Sequence, residues 1–420
     1  MISSPSSGGG ADPLPVTVLL PTFNRAHYIR EALESILHQT VPPAQVIVID
    51  DGSTDATPQV VSEWGERVEY VRQENSGKSA ALNNGLGRAR CPYVWIFDDD
   101  DIAAPDALAA LHAALRNNPS AGFSYGRCDR FYGEWPADER VPNYAFQSDS
   151  KQALYIRLME DFFLWQGAML VKRECYDEAG PFDTRLSRSQ DYEMALRLAR
   201  RFESVAVPKI AFHQRHHSGT RGPRDAQVAA AQIEDAWRKF NHVIFRELHE
   251  SHDLSEFVVP PDLPLPKAHL TRIGLIQRGS IMARKGIWDL ASSDFRKAAS
   301  VADDNGHDAL TLQEIAALRV VFQPGARSVF EKGGDAAAFG KAIAAFGRPL
   351  RQAITANLLF PVTYRIRRVG QHADKRSEAL QLWRIVSNLF RPGCVPRIVE
   401  ARRQPLDMLK VSLLEVEPPN

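Results

Sequence analysis

The chain has little cysteine, no excess of either charge and no long apolar run, and each shortage argues against a class of protein. Four cysteines stand among 420 residues, at Cys91, Cys128, Cys175 and Cys394. They form no CxxC pair and no finger-like spacing, which argues against a disulfide framework and for free thiols in a reducing compartment. Lysine plus arginine balances aspartate plus glutamate at 51 each. No global field therefore recruits nucleic acid or a membrane, and any such partner needs a local patch. No stretch approaches the roughly 18–20 apolar residues of a spanning helix. The opening residues, around SSPSSGGG, lack the basic and apolar blocks of a signal peptide. The expected location is the cytosol, with the inner face of a membrane as the alternative.

What is present is more telling. The apolar content of 44% suffices for genuine cores, and the length allows two domains of ordinary size. In the first half, Val16–Leu20 (VTVLL), Val46–Ile49 (VIVI), Val68–Val71 and Tyr93–Phe97 read as strands. Arg25–Leu37, with Ile29, Leu33, Ile36 and Leu37 at helical spacing, reads as a helix, and so does Ser79–Ala89. Pro105 opens another that stops near Asn117 and Asn118. This alternation predicts an α/β domain with a parallel sheet covered on both faces.

From about Ala226 helical patterns take over, interrupted by the proline-rich Val259–Pro266. Within them Thr271–Ala302 has the spacing of one tetratricopeptide-like pair, with Gly279, Ala291, Phe295 and Ala298 at packing positions. A lone unit falls short of the three or so that a solenoid needs, so an ordinary helical hairpin is expected. The organisation read from the chain is a flexible stretch 1–13, an α/β domain 14–225 and a mainly helical region 226–420 with a joint near 259–266.

In open α/β sheets, ligands bind beyond the carboxyl ends of the strands. Three polar clusters stand at such ends: Pro21-Thr22-Phe23-Asn24-Arg25, Asp50-Asp51-Gly52-Ser53-Thr54-Asp55 and Asp98-Asp99-Asp100-Asp101. Four consecutive carboxylates repel one another and call for a cation. Mg²⁺ and Mn²⁺ prefer such oxygen ligands and commonly bind through one or two carboxylates plus substrate phosphates. The plain competitor is an acidic turn capping the next helix, a job open to Asp101. The second cluster suits either a simple turn or a loop whose carboxylate meets a base or ribose. Asn75-Ser76-Gly77-Lys78 adds a glycine loop ahead of a helix, with a cation available for phosphate.

Taken together, PTFNR, VIDDGSTD, NSGKSAALNNG, VWIFDDDD and PFDTRLSRSQDYEMALRL, followed by QRHHSGT, resemble the family 2 glycosyltransferases in content and order. The resemblance covers about residues 15–222 and leaves the helical half undescribed. It implies a GT-A fold, a Rossmann-like nucleotide-diphospho-sugar transferase architecture, with inversion at the anomeric carbon. It also implies site roles. Pro21, Phe23 and Arg25 line the nucleotide pocket, and Asp51 contacts the base with Asp50 beside it. Lys78 reaches the uracil or diphosphate region. Asp98 and Asp100 are the two aspartates of a DxD motif; Asp98 faces the ribose or sugar, with Asp99 also on the donor side. Asp100 holds Mn²⁺ or Mg²⁺, and His217 is a further metal ligand, with Arg215 near the diphosphate. Asp191 is the catalytic base, preceded by Gln190 where glutamate is common. From position alone Asp191 also suits an N-cap.

The implied reaction transfers a sugar from a nucleotide-diphospho-sugar, with UDP-sugar the expected donor, to the hydroxyl of a glycan, lipid-linked glycan or other acceptor. Surface glycan or polysaccharide assembly is the setting that family analogy suggests. Trp165 and Gln166 are acceptor-side candidates, since aromatic faces stack on sugars, although a tryptophan there suits a core equally. The basic, apolar stretch 347–376 fits either an anionic membrane surface or a packed helix with a solvated face. A sugar nucleotidylyltransferase is disfavoured, because PTFNR stands where its triphosphate loop belongs. A non-catalytic scaffold working through the helical half is the remaining rival.

Overall fold

A computed structural model describes residues 12–137, 139–142, 150–216, 233–260, 263–301, 309–323 and 336–370. They fall into two compact units, one holding the described residues up to 158 together with 162–237, the other holding 159–161 and the described residues from 238 to 370.

The first unit begins as a strand–helix alternation: β1 (Leu14–Thr22), α1 (Ile29–Leu37), β2 (Pro43–Asp50), α2 (Thr57–Ser62), β3 (Glu69–Arg72), α3 (Lys78–Leu86) and β4 (Tyr93–Ile96). After it come β5 (Ile102–Ala103), α4 (Ala107–Asn117), β6 (Ala121–Tyr132), β7 (Val141–Pro142), α5 (Lys151–Glu160), β8 (Met169–Lys172), α6 (Arg173–Ala179), α7 (Gln190–Arg201) and β9 (Glu203–His216). The strands form one sheet in the order β3-β2-β1-β4-β8-β6-β9-β5, with β7 on β6.

The expected parallel sheet is therefore only half right. Strands β3, β2, β1 and β4 are parallel, and β8 runs antiparallel to both β4 and β6. Strand β8 enters after an excursion through β7 and α5 and slots between β4 and β6, against the direction of both. The apolar runs explain the centre. Val18, Leu19 and Leu20 of β1 and Ile47, Val48 and Ile49 of β2 are completely buried, as strands covered on both faces must be. Helix α3 lies close on them: a Cβ on Gly85 would stand 2.8 Å from Ile49 Cδ1 and 3.2 Å from Leu19 Cδ2. That close approach brings Lys78, at the start of α3, to the carboxyl edge of β1 and β2.

The second unit is helical: α8 (Ile233–Ser251), α9 (Lys267–Arg284), α10 (Trp288–Ser300), α11 (Leu312–Val320), α12 (Ala336–Ala344) and α13 (Arg348–Gly370). Helices α9 and α10 pack as a hairpin, and the expected packing positions explain why. A Cβ on Gly279 would meet the Phe295 ring at 2.8 Å, while Ala291 and Ala298 are buried beside it. Helix α9 also carries buried ion pairs. Arg272 Nε donates to Glu314 Oε1 at 2.8 Å, and Arg278 binds both oxygens of Asp294 at 2.8 and 2.9 Å. Leu350, Ile354, Leu358 and Leu359 of α13 are buried, and Arg319 Nε of α11 donates to Asn357 Oδ1 at 2.9 Å. The apolar face of this basic stretch is thus packed inside the protein. The side chains of Arg365, Arg367 and Arg368, and all of Lys375 and Arg376, lie outside the described residues. No described helix is long and apolar enough to cross a membrane.

Candidate active site

The carboxyl ends of β1, β2 and β4 share one edge of the sheet, and the three polar clusters meet there. The first two are laced together by hydrogen bonds. Asn24 N donates to Ser53 Oγ (2.9 Å), Thr54 N to Asn24 Oδ1 (2.7 Å), Arg25 N to Thr57 Oγ1 (3.0 Å) and Ala26 N to Asp55 Oδ2 (3.1 Å). Burial pushes the Asp55 carboxyl up, but its bonds from Thr57 and Ala26 outweigh that and hold it below its ordinary value. The lacing bends Asn24 to φ 55, a left-handed conformation that asparagine tolerates better than most.

Asp50 and Asp51 are both buried. Asp50 accepts from Ser53 N at 2.7 Å and from the Tyr70 hydroxyl at 2.5 Å. Burial and this carboxylate together raise the Tyr70 pKa. Asp51 accepts from Gln73 Nε2 (2.8 Å), Ser76 N (2.9 Å) and Gly77 N (2.8 Å), so its carboxylate fixes the loop leading into α3. Gly52 makes the fit possible: its φ is +84°, and a Cβ there would press on Asn75 N at 3.0 Å.

Lys78 leaves that loop toward the acidic run, and its Nζ donates to Asp98 Oδ1 at 2.5 Å. Desolvation pulls the Lys78 pKa down, yet Asp98, Asp191 and Asp100 outweigh it and raise the pKa overall. The carboxylates of Asp98, Asp100 and Asp101 offer oxygens that all lie within 4.8 Å of one another. Three hard oxygen donors at that spacing suit Mg²⁺ or Mn²⁺. Asp99 turns away from the group. It is buried, lies 3.9 Å from Arg25 Nε, and is pushed up to about 7 by burial and then by Asp100, against the pull of Arg25.

From the sequence Asp101 carries no metal role of its own, and helix capping is the competing use open to it. Helix α4 begins after Asp106, and Asp101 Oδ1 instead accepts from Arg215 N at 2.9 Å. Arg215, expected near the diphosphate, is held by the protein itself. Its guanidinium is buried, pairs with Glu31, donates to Asp100 O (3.0 Å) and Gly133 O (2.7 Å), and lies over the rings of Phe131 and Tyr28. It thereby braces the acidic loop. Nothing in the sequence marks a partner 184 residues away.

Asp191 stands in the first turn of α7. Ser189 takes the N-cap position, at φ 60, so Asp191 is not the cap that its position suggested. Its Oδ1 accepts from Tyr192 N at 2.8 Å. Burial pushes the carboxyl up, Lys78 pulls it down, and the net shift is upward. The electrostatic coupling of Lys78 to both Asp98 and Asp191 joins the expected base to the expected donor residues. Pro21 is buried at the end of β1 and Phe23 half-buried just beyond it. His217 lies outside the described residues. Trp165 is half-buried, edge-on to Phe162 at 4.8 Å between ring centres. Phe162 lies 4.7 Å from the ring of Tyr192, the residue after Asp191. Gln166 is buried in the short turn before β8.

A mixed sheet of this strand order, with an acidic run at the end of β4, defines the GT-A class of nucleotide-sugar folds. Residues 17–180 match the family model described as glycosyl transferase family 2. This part of the chain is therefore similar to the family 2 glycosyltransferases. It is similar to glycosyltransferase GlyA of Streptococcus pneumoniae, 32% identical over 35% of this chain and 19% of that one. An uncharacterized glycosyltransferase of Rickettsia typhi is 34% identical over 44% of this chain and 58% of its own length. The chain thus spans less than two thirds of the length of each of these relatives. A crystal structure of S. aureus TarS in complex with UDP-GlcNAc is similar at 17% identity and a TM-score of 0.47, covering 83% of this chain and 91% of that one.

Proposed function

We propose that the protein is a metal-dependent, inverting glycosyltransferase acting from a nucleotide-diphospho-sugar, with a UDP-sugar the donor to test first. The observation that carries this reading is the position of Lys78, in contact with Asp98 and coupled to Asp191 and Asp100. One cation thereby links a donor-side carboxylate cluster to a buried carboxylate suited to proton transfer. In this reading Pro21, Phe23 and Arg25 line the nucleotide pocket, and Asp50 and Asp51 act by fixing the loops that meet the nucleoside. Asp98, Asp100 and Asp101 would hold Mn²⁺ or Mg²⁺, which when bound neutralises charge on a diphosphate leaving group.

The chain's own residues supply the rest. Asp191 accepts the proton of the acceptor hydroxyl as its oxygen bonds to the anomeric carbon. The bond from that carbon to the diphosphate breaks, and its electron pair leaves with the diphosphate. Lys78 meets the growing negative charge, so its contribution is larger in the transition state than in the ground state. Attack from the face opposite the leaving group inverts the configuration.

Calorimetric titration of UDP with and without Mn²⁺ tests the donor site. Binding that requires Mn²⁺ and is lost in Asp100→Ala is the expected result. Absence of binding under both conditions, repeated with GDP and dTDP, would sink the reading.

A further inference from the structure

At the far ends of β6 and β9 the two strands stay paired, with β7 on β6 at Asp129 and Arg130 and β5 on β9 at His213, and the two faces of this part of the sheet differ. Register pairs Arg130 with Gln214, Phe131 with Arg215 and Tyr132 with His216. Side chains two apart share a face, so Arg130, Gln214, Tyr132 and His216 lie together. The contacts agree: Arg130 Nε donates to Gln214 Oε1 at 3.0 Å, and the Tyr132 and His216 rings lie 4.9 Å apart. The other face is closed by internal pairs. There Asp129 meets His213 at 2.5 Å beneath the stacked Trp135, and Arg215 lies over Phe131.

The first face is open and chemically mixed. Tyr132 is 61% exposed, among the largest apolar exposures of the described residues. At its inner end the Arg130 guanidinium lies 5.8 Å from the Trp165 ring. Among the described residues, Trp165 Nε1 and Gln166 Oε1 are buried and have no hydrogen-bond partner, the one a donor and the other an acceptor. Buried polar groups are ordinarily paired, so two unmet groups of opposite sense on successive residues point to a ligand that both donates and accepts. Phe162 connects this inner end to Tyr192, the residue after Asp191.

We infer that this strip is the acceptor subsite, and that the acceptor is an oligosaccharide of at least two units. The inference rests on the glycosyltransferase reading above. A sugar chain offers what the strip needs: hydroxyls that donate and accept for Trp165 and Gln166, and apolar ring faces for Tyr132 and His216. Length supports more than one unit. Two strand residues advance about 6.6 Å, and Trp165 adds a further step beyond Arg130, so the strip outruns a single sugar ring. The terminal unit sits at Trp165 and Gln166, its hydroxyl toward Asp191, and the preceding unit lies over Arg130 and Tyr132.

The experiment is an array of oligosaccharides, one to six units long and covering common backbone types, probed with protein saturated with UDP and Mn²⁺. Expected is binding to some glycans of two or more units and not to their monosaccharides. Tyr132→Ala weakens that binding about fivefold to tenfold and flattens its length dependence, and Trp165→Phe, which keeps the ring but removes the N–H, weakens it about tenfold. UDP affinity, measured separately, stays at the wild-type value in both. Binding to no glycan, or binding indifferent to both substitutions, overturns the proposal while leaving the donor site intact. Loss of UDP binding by the wild-type protein instead removes the reading beneath it.

Discussion

Lys78 Nζ lies 2.5 Å from Asp98 Oδ1, and the same ammonium is coupled to Asp191, which follows it by more than a hundred residues. The contact is made because Gly77 and Gly85 let α3 start and settle close over β1 and β2. One cation thus stands between two carboxylates that the sequence places far apart.

Lys78→Met should therefore do more than remove a positive charge from the leaving group. It should lower kcat by about a hundredfold or more, with a smaller effect on the UDP Kd. Steady-state kinetics beside calorimetry separate the two. A fall confined to UDP affinity would mean that Lys78 serves binding alone.

Asp191→Asn should retain UDP binding and lose transfer by roughly 10²–10⁴-fold. The pH profile carries the sign. A base works deprotonated, so the rate rises with pH through its pKa, and net burial sets that pKa above the usual carboxylate range. The acid limb of kcat/KM should accordingly have its midpoint above the ordinary Asp value of about 4. A profile flat across that range would argue against Asp191 as the base.

In the helical unit, Asp294 is completely buried and accepts from Arg278 and from His249 at 3.1 Å. Burial pushes its pKa up, and these partners more than reverse that to leave it lowered. A depressed folded pKa means stability present above the unfolded value and lost as pH falls through the folded one. Asp294→Ala strands a buried guanidinium and should cost about 3–5 kcal/mol, read by denaturant unfolding near neutral pH. Acid unfolding of the wild type should begin below the ordinary Asp pKa of about 4.

Gly274 lies in α9 with its Cα facing backbone: an added Cβ would stand 2.7 Å from Leu254 O. Gly274→Ala gains about 1 kcal/mol of helix propensity but forces apart a carbonyl and a helix that cannot shift by rotating a side chain. The expected net is a loss of about 1–2 kcal/mol, seen as a lower Tm. A raised Tm would show that the 254–257 turn moves freely.

Much of the fold was legible because VTVLL and VIVI are strands buried on both faces, and such strands appear in sequence as unbroken apolar runs. Strands β6 and β9 were not legible. Their sequences, AGFSYGRCDRFY and ESVAVPKIAFHQRH, alternate large apolar groups with charges, as paired strands with two unlike faces require. The site divides in the same way. Asp98, Asp100 and Lys78 stand directly at strand or helix ends, so position alone flagged them. The role of Arg215 depends on Glu31 and on the Asp100 carbonyl, a tertiary arrangement with no local signature. The second and fourth positions of the acidic run show a related limit. Neighbouring side chains leave a turn in different directions, and only the folded backbone distinguishes buried Asp99, beside Arg25, from clustered Asp101.

The carboxylate of Asp51 occupies the amides of Ser76 and Gly77 that open α3. In many nucleotide-binding sheets the exposed amides at such a position cradle phosphate directly. Here the protein has already filled that cradle with an anion of its own. On the proposed function, the pocket carries an anion where such sheets offer free amides, and a diphosphate would be met by side-chain cations and imported ones. Donor retention would then be a function of divalent-ion supply, so that the level of free Mg²⁺ or Mn²⁺, as much as that of the sugar nucleotide, would set how often the site is loaded.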